Sequence, residues 1–324
     1  MDLDGVKKIE SADFYIDLAF RHATKEANDI RSTKLKGTRE EKSKKIEIAK
    51  IGAISETISS AMMKLIQSYP DLDGMTEFYK KLFRAFIDMK QMKLSLGGLN
   101  WLREKIVLFG NDYIKKIRRC EDLSAINRYR KEYYGRASSL VHRIESDLRF
   151  LEEARKVMRQ FPSIKSMFTV CIAGFPNVGK STLLAKMTSA KPEIKNYAFT
   201  TKGLNTGYLK KAYLKVQFID TPGTLNRLDK LNVVELQADL ALKYCADLIV
   251  YVFDPTETYS YKDQVKLLET IKKLGKDILI YVSKTDIAKE EAVDHFLDSR
   301  RKIPVYLEVE DLQKELLKEC RKNL

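Results

Sequence analysis

Apolar residues recur three and four positions apart from Ile51 through Ile54, Ile58 and Met62 to Leu65, the spacing of a single stripe along a helix. The pattern returns at Ile144, Leu148, Leu151 and Met158, with Arg143, Glu145, Arg149, Glu152 and Glu153 between them. Pro70, Gly74, Gly97 and Gly98 interrupt it and predict several helices rather than one. Each stripe needs a partner, so residues 1–162 are expected to form an antiparallel helical bundle whose stripes are its core. Phe161-Pro162-Ser163 marks a boundary, because proline biases the residue before it towards extended backbone. Beyond it the period changes. Met167–Ala173, Val216–Ile219, Leu248–Phe253 and Ile278–Val282 are short apolar runs rich in β-formers, separated by helix-like stretches such as Val234–Cys245 and Lys262–Leu274. That alternation predicts an α/β domain over residues 163–324, with a mostly parallel sheet covered on both faces.

Composition adds little to the fold and more to the partner. The 324 residues are 44% hydrophobic and 32% charged, as in soluble folded proteins. No apolar stretch approaches a membrane span, and the acidic start (Asp2, Asp4) lacks the order of a signal peptide, so a cytoplasmic protein is expected. Cys120, Cys171, Cys245 and Cys320 lie far apart and read as isolated thiols, and His22, His142 and His295 show no ligand spacing. Formal net charge is +14, and most of the excess lies in the first half: residues 1–165 hold 34 lysines and arginines against 24 acids, the remainder 25 against 21. Such a half suits a polyanion, and by charge alone a lysine-rich solvated surface explains it equally well. Lys34, Lys36, Arg39, Lys42, Lys44 and Lys45 form one candidate patch. Lys115, Lys116, Arg118, Arg119, Arg128, Arg130 and Lys131 form another, with Tyr113, Tyr129, Tyr133 and Tyr134 close in sequence for base stacking.

The chemistry is concentrated after residue 167. Gly174-Phe175-Pro176-Asn177-Val178-Gly179-Lys180-Ser181 fits the phosphate-loop pattern and sits between an expected strand and a helix opening through Thr182. Backbone N–H groups of such a loop point at phosphates, and its glycines permit close approach. Lys180 would neutralise the β- and γ-phosphates and the Ser181 hydroxyl would bind Mg²⁺. Asp220-Thr221-Pro222-Gly223 follows the next expected strand, so Asp220 is placed to hold Mg²⁺ and the Gly223 N–H to sense a γ-phosphate. Between them lies Asn196 to Gly203, containing Phe199, Thr200 and Thr201; either threonine could complete the Mg²⁺ shell when the γ-phosphate is present.

Ser283-Lys284-Thr285-Asp286 follows the strand Ile278–Val282 and is similar to the guanine-reading pattern, with serine for the usual asparagine. The Asp286 carboxylate can accept from guanine N1–H and the 2-amino group, whereas adenine offers a lone pair and no 2-amino group. The Lys284 stem can lie along the base. After Val305–Glu308 only Val309-Glu310-Asp311 follows, so the Ser-Ala-Lys-like loop whose backbone N–H caps the guanine oxygen is absent or degenerate, and Thr224 stands where many GTPases carry a water-orienting glutamine. Slow intrinsic turnover, or help from a partner or cation, is therefore expected.

These motifs, with Ala190-Lys191-Pro192-Glu193-Ile194, Ala246–Val250 and Phe253-Asp254-Pro255, resemble the Obg-related GTPases and most closely their nucleolar GTP-binding protein 1 branch in its archaeal form. The resemblance implies an Obg-type G domain over 163–324 and a role in large ribosomal subunit assembly, with rRNA and the pre-subunit as partners; the sequence does not set the oligomeric state, and a monomer is the expectation. It selects Thr201 as the switch threonine on Mg²⁺. Lys180, Thr201 and Gly223 become the candidate catalytic groups, and Ser181, Thr201 and Asp220 the metal ligands. In some related GTPases the residue matching Asn177 helps to hold K⁺, which raises potassium as a further cofactor. Two other functions compete with the switch. One is an rRNA-binding scaffold whose nucleotide is structural. The other is a membrane-surface or tRNA-modifying GTPase, disfavoured because no basic amphipathic helix rich in Trp or Phe and no modification chemistry is found.

Overall fold

The computed structural model describes residues 3, 5–33, 36–188, 204–222, 233–256, 258–299 and 303–323. The chain divides into two units, Asp2–Asp73 with Phe83–Phe161, and Gly74–Leu82 with Pro162–Leu324. Residues 74–82 join the second unit for a visible reason. The Tyr79 hydroxyl donates to Pro162 O at 2.8 Å and accepts from Ile164 N at 2.9 Å.

The first unit is helical, as its stripes predict. Its helices are α1 (Ala12–Ser32), α2 (Arg39–Ser68), the end of α3 (Glu77–Phe86), α4 (Met89–Arg119), α5 (Leu123–His142) and α6 (Glu145–Met158). The α2 stripe from Ile51 to Leu65 is buried. Thr38 and Glu41 form a reciprocal capping box at the start of α2, and Asp88 and Asp122 cap α4 and α5. One expectation fails here: Gly97 and Gly98 do not break a helix but lie inside α4. A Cβ on Gly98 would meet Asp147 Oδ2 at 2.6 Å, and Ser95 donates to the same carboxylate at 2.8 Å, so a glycine at 98 permits a close contact of α4 with α6. Two acids of α6 hold the N-terminal segment, whose Leu3, Val6 and Ile9 are buried. Glu152 accepts from Ile9 N at 3.0 Å and from Arg155, and Glu145 accepts from Ala12 N at 2.8 Å.

The second unit carries, among the described residues, a six-stranded sheet in the order β2-β3-β1-β4-β5-β6. Its strands are β1 (Thr169–Ala173), β2 (Asn205–Lys211), β3 (Leu214–Asp220), β4 (Leu248–Phe253), β5 (Asp277–Val282) and β6 (Val305–Tyr306). All pairings are parallel except β2 with β3. The continuous apolar runs are explained by burial on both faces: β1 and β4 are buried at every position. β2 is an edge hairpin strand whose Thr, Gly, Tyr and Lys give no apolar run, which is why the sequence pattern misses it. Helices α7 (Lys180–Met187), α8 (Val233–Tyr244), α9 (Tyr261–Lys272), α10 (Glu290–Ser299) and α11 (Val309–Lys322) complete the unit. α7 packs on β1, β2 and β3. A Cβ on Gly207 of β2 would fall 2.5 Å from Thr188 Cγ2 and 2.9 Å from Leu184 Cδ1.

Gly207→Ala should therefore push α7 off the sheet and lower the stability of this unit by about 2 kcal/mol, the usual scale of overpacking, measured by denaturant unfolding. Hydrogen bonds outweigh burial at Glu152 and hold its carboxyl below the ordinary value, and the Ala12 N–H and Arg149 do the same at Glu145. Stability from a depressed acid is present above its unfolded pKa and is lost as pH falls through the folded one. Amide exchange at Ile9 and Ala12 should accordingly quicken, relative to the α2 core, as pH drops below the ordinary glutamate range.

Candidate functional site

The loop between β1 and α7 is built by close approach of backbone. Gly174 has φ 149°, and a Cβ there would sit 2.6 Å from Val252 O of β4, so only glycine fits. Asn177 and Gly179 also have positive φ, at 59° and 94°. Gly179 is the N-cap of α7 and no side chain caps that helix, so its first amides face the loop. The Lys180 ammonium donates to Phe175 O at 2.5 Å and is largely buried. Phe175 is itself buried and packs its ring 4.5 Å from that of Tyr259.

β3 brings the acid to the loop. Parallel pairing sets Asp220 opposite Ile172, and antiparallel pairing sets Asn205 of β2 opposite Asp220. Asp220 Oδ2 accepts from Ser181 Oγ at 2.5 Å and from Asn205 Nδ2 at 3.4 Å. Asp220 Oδ1 is buried and has no hydrogen-bond partner among the described residues. Burial raises the Asp220 carboxyl above its ordinary value, against the bonds from Ser181 and Asn205 and the charge of Lys180. An unpartnered buried carboxylate oxygen beside a serine hydroxyl is the donor set that a hard divalent cation or its water satisfies, so these residues fit Mg²⁺. Thr221 differs from its neighbour: its hydroxyl donates to Ile172 O at 2.8 Å and it is fully buried, a structural contact. Pro222 is half-buried. Phe199, Thr200, Thr201, Gly223 and Thr224 lie outside the described residues.

The loop after β5 meets the phosphate loop. Ser283 is buried; its hydroxyl lies 2.7 Å from Val178 O and 3.1 Å from Phe253 O, and its one proton can serve either carbonyl. Serine at this position therefore ties two loops together. Lys284 has φ 54° and its ammonium bonds Asp254 Oδ2 at 2.6 Å. Thr285 and Asp286 are exposed. A cavity of about 500 Å³ joins both motifs: Asn177, Gly179, Lys180, Ser181 and Thr182 line one part, Ser283, Lys284 and Asp286 another. Tyr281 and Lys186 line it too and were not singled out from sequence. Tyr281 belongs to the apolar run Ile278–Val282, whose pattern does not mark which member faces a cavity. Leu307 and Glu308 alone separate β6 from α11.

The basic segments of the helical unit are nearer in space than in sequence. Lys44 Nζ donates to Arg118 O at 3.4 Å, which brings the start of α2 to the end of α4. Lys34 lies outside the described residues. The tyrosines expected to stack on bases largely do not qualify. Tyr113 and Tyr133 are 1% and 0% exposed, their hydroxyls on Glu132 (3.2 Å) and Ser55 (2.8 Å), because α4 and α5 use them as core. Tyr134 is half-buried, with its hydroxyl 3.5 Å from Glu47. Tyr129 is half-buried with Lys116 and Arg128 near its ring, at 5.7 and 5.2 Å.

Comparison with known proteins matches both units. Residues 8–165 match the family model described as the NOG1 N-terminal helical domain, and residues 169–284 the one described as a 50S ribosome-binding GTPase. An uncharacterized protein of Methanocaldococcus jannaschii is 37% identical over 279 residues, 85% of this chain and 78% of that protein. Nucleolar GTP-binding protein 1 of Drosophila melanogaster is 34% identical over 80% of this chain and 42% of its own length, and that of Saccharomyces cerevisiae 29% identical over 74% and 39%. The chain thus spans about two-fifths of those two nucleolar relatives. No described helix is long and apolar enough to cross a membrane.

Ser283→Ala should leave the Val178 carbonyl without the Ser283 hydroxyl, while Phe253 O keeps the Ser283 N–H at 2.9 Å, and should loosen the phosphate loop. The expected cost is about 1–2 kcal/mol in unfolding free energy, with weaker nucleotide binding in calorimetry.

Proposed function

The chain belongs to the nucleolar GTP-binding protein 1 family and carries its P-loop GTPase domain, and from that premise we propose that it is a slow, Mg²⁺-dependent GTPase acting as a switch in large ribosomal subunit assembly. The observation that carries this reading is a cavity lined both by the phosphate loop and by Ser283, Lys284 and Asp286. A triphosphate gripped at one part of it would leave its base beside Asp286 at another.

Each residue has a task in this reading. Backbone N–H groups between Gly174 and Thr182, of which Pro176 has none, and the Lys180 ammonium bind the phosphates, while Pro176 shapes the loop. Ser181 and Asp220 hold Mg²⁺, and Thr201 joins them when the γ-phosphate is present. Held there, Mg²⁺ would supply charge neutralisation for the β- and γ-phosphate oxygens. Gly223 senses the γ-phosphate through its N–H. Asp286 accepts two hydrogen bonds from guanine, and Lys284 lies along the base. Phe199, Thr200, Thr221, Pro222 and Thr285 shape the switch and base loops around these contacts. Thr224 offers a poor group for orienting water, which supports slow turnover unless K⁺ at Asn177 or a partner assists. The whole acts as a monomer in the cytoplasm.

The partner is rRNA in the assembling large subunit. Support comes from the +14 net charge, from the approach of the Lys44 and Arg118 segments, and from relatives named nucleolar GTP-binding protein 1. With the tyrosines mostly in the core, contact is through phosphates and not stacking, so affinity should fall steeply with salt.

Lys180→Ala should abolish GTP and GDP uptake in calorimetry while leaving the helical unit folded. Single-turnover hydrolysis, run with and without K⁺ and large-subunit particles, should reveal a slow rate raised by one of them. Co-sedimentation with those particles should differ between GDP and a non-hydrolysable GTP analogue and should weaken from 50 to 200 mM salt by at least about tenfold. No hydrolysis under any of these conditions would favour an rRNA-binding scaffold with a structural nucleotide.

A further inference from the structure

Asp254 stands directly after β4, the counterpart of Asp220 at the end of β3. The two acids are treated differently. Asp254 is fully buried, and every part of it is engaged. Its Oδ1 accepts from Thr256 N at 2.9 Å and from Thr256 Oγ1 at 2.6 Å. Its Oδ2 accepts from Lys284 Nζ at 2.6 Å. Its backbone is clamped by the buried Gln264, which accepts from Asp254 N at 2.9 Å and donates to Asp254 O at 2.8 Å. A third bond, from Gln264 to Tyr259 O at 3.1 Å, fixes the clamp. The carboxylate therefore cannot turn away, and one oxygen is left aimed at Lys284.

Lys284 is constrained from its other end as well. Its φ of 54° lies in the left-handed region, between Ser283, bonded to the phosphate loop, and Asp286 in the cavity wall. With backbone and ammonium both pinned, the methylene stem between them is restricted, and Lys284 lines the cavity. A free lysine would surrender rotamer freedom when a base packs on it, whereas this one has already done so.

We infer that Asp254 is a positioning residue for nucleotide binding: it holds the Lys284 stem as a preformed apolar platform for the base, without touching the nucleotide itself. This rests on the reading of residues 283–286 as the base-recognition loop. At Asp254, burial raises the carboxyl's affinity for protons, but the bonds from Lys284 and Thr256 together hold it below the ordinary value, so it stays charged and keeps its grip.

The test compares GDP with inosine diphosphate, which lacks the 2-amino group, by calorimetry on the full chain with Mg²⁺. The unsubstituted protein should prefer GDP through Asp286. Asp254→Asn should weaken both ligands by about tenfold and leave their ratio intact, because the lysine platform serves either base. In a Lys284→Met background, where a stem remains without its charge, adding Asp254→Asn should not weaken GDP binding further. That comparison removes both partners of the ion pair together, so it stands even if Asp254→Asn alone folds poorly. Unchanged GDP affinity in Asp254→Asn, or a second tenfold loss in the Lys284→Met background, would overturn the role. A collapsed GDP-to-inosine ratio in Asp254→Asn would also overturn it, by showing general damage to the loop. Absence of any GDP preference in the unsubstituted protein would defeat the base-recognition reading itself.

Discussion

The carbonyl oxygen of Val252 occupies the space where a side chain at residue 174 would begin. That approach of β4 to the end of β1 forces glycine, opens the backbone to positive φ, and turns the chain so that the amides at the start of α7 face one point. The remaining site is arranged around this turn. β3 carries Asp220 to Ser181 by its register with β1, and Ser283 reaches back from β5 to the carbonyl of Val178. Parallel strands thus deliver the loops after β1 and β5 to one cavity, and β3 brings Asp220 onto Ser181 in its wall, at the carboxyl edge where ligands bind in such sheets.

Buried charge is handled in two ways at this edge. Asp254 is closed, with both oxygens satisfied by protein, and its carboxyl is held low. Asp220 is open, with one buried oxygen lacking a protein partner, and its carboxyl is raised. A closed acid supports structure, because removing its partner would strand a charge in a low-dielectric interior. An open acid is poised for a ligand that brings its own charge, and a divalent cation is the simplest one.

The helical unit applies the same economy to its polar groups. Ser55 and Tyr133 share a hydrogen bond in the core between α2 and α5, and Glu47 gathers Lys50, Arg130 and Tyr134. These contacts consume several tyrosines and some of the charge that sequence alone would offer to a polyanion. The cations left at the meeting of α2 and α4 suit a phosphate backbone, whose recognition needs charge and no particular order of bases.

The helical stripes, the period change after Phe161 and the four longest apolar strand runs were legible in the sequence, because burial on a helix face or within a parallel sheet imposes periodicity on consecutive residues. The phosphate loop was legible too, since its glycines and lysine are local necessities. Tertiary structure alone decided what depends on partners distant in sequence. Gly97 and Gly98 punctuate nothing, because α4 continues past them and α6 comes close at Asp147. Tyr113 and Tyr133 are core because α4 and α5 close over them. The edge strand β2 follows from its pairing with β3 and not from its own composition. Asp254 could have been suspected from its position after a strand, as Asp220 was, but its partner Lys284 lies thirty residues on. No spacing rule connects two loops that meet only once the sheet has formed.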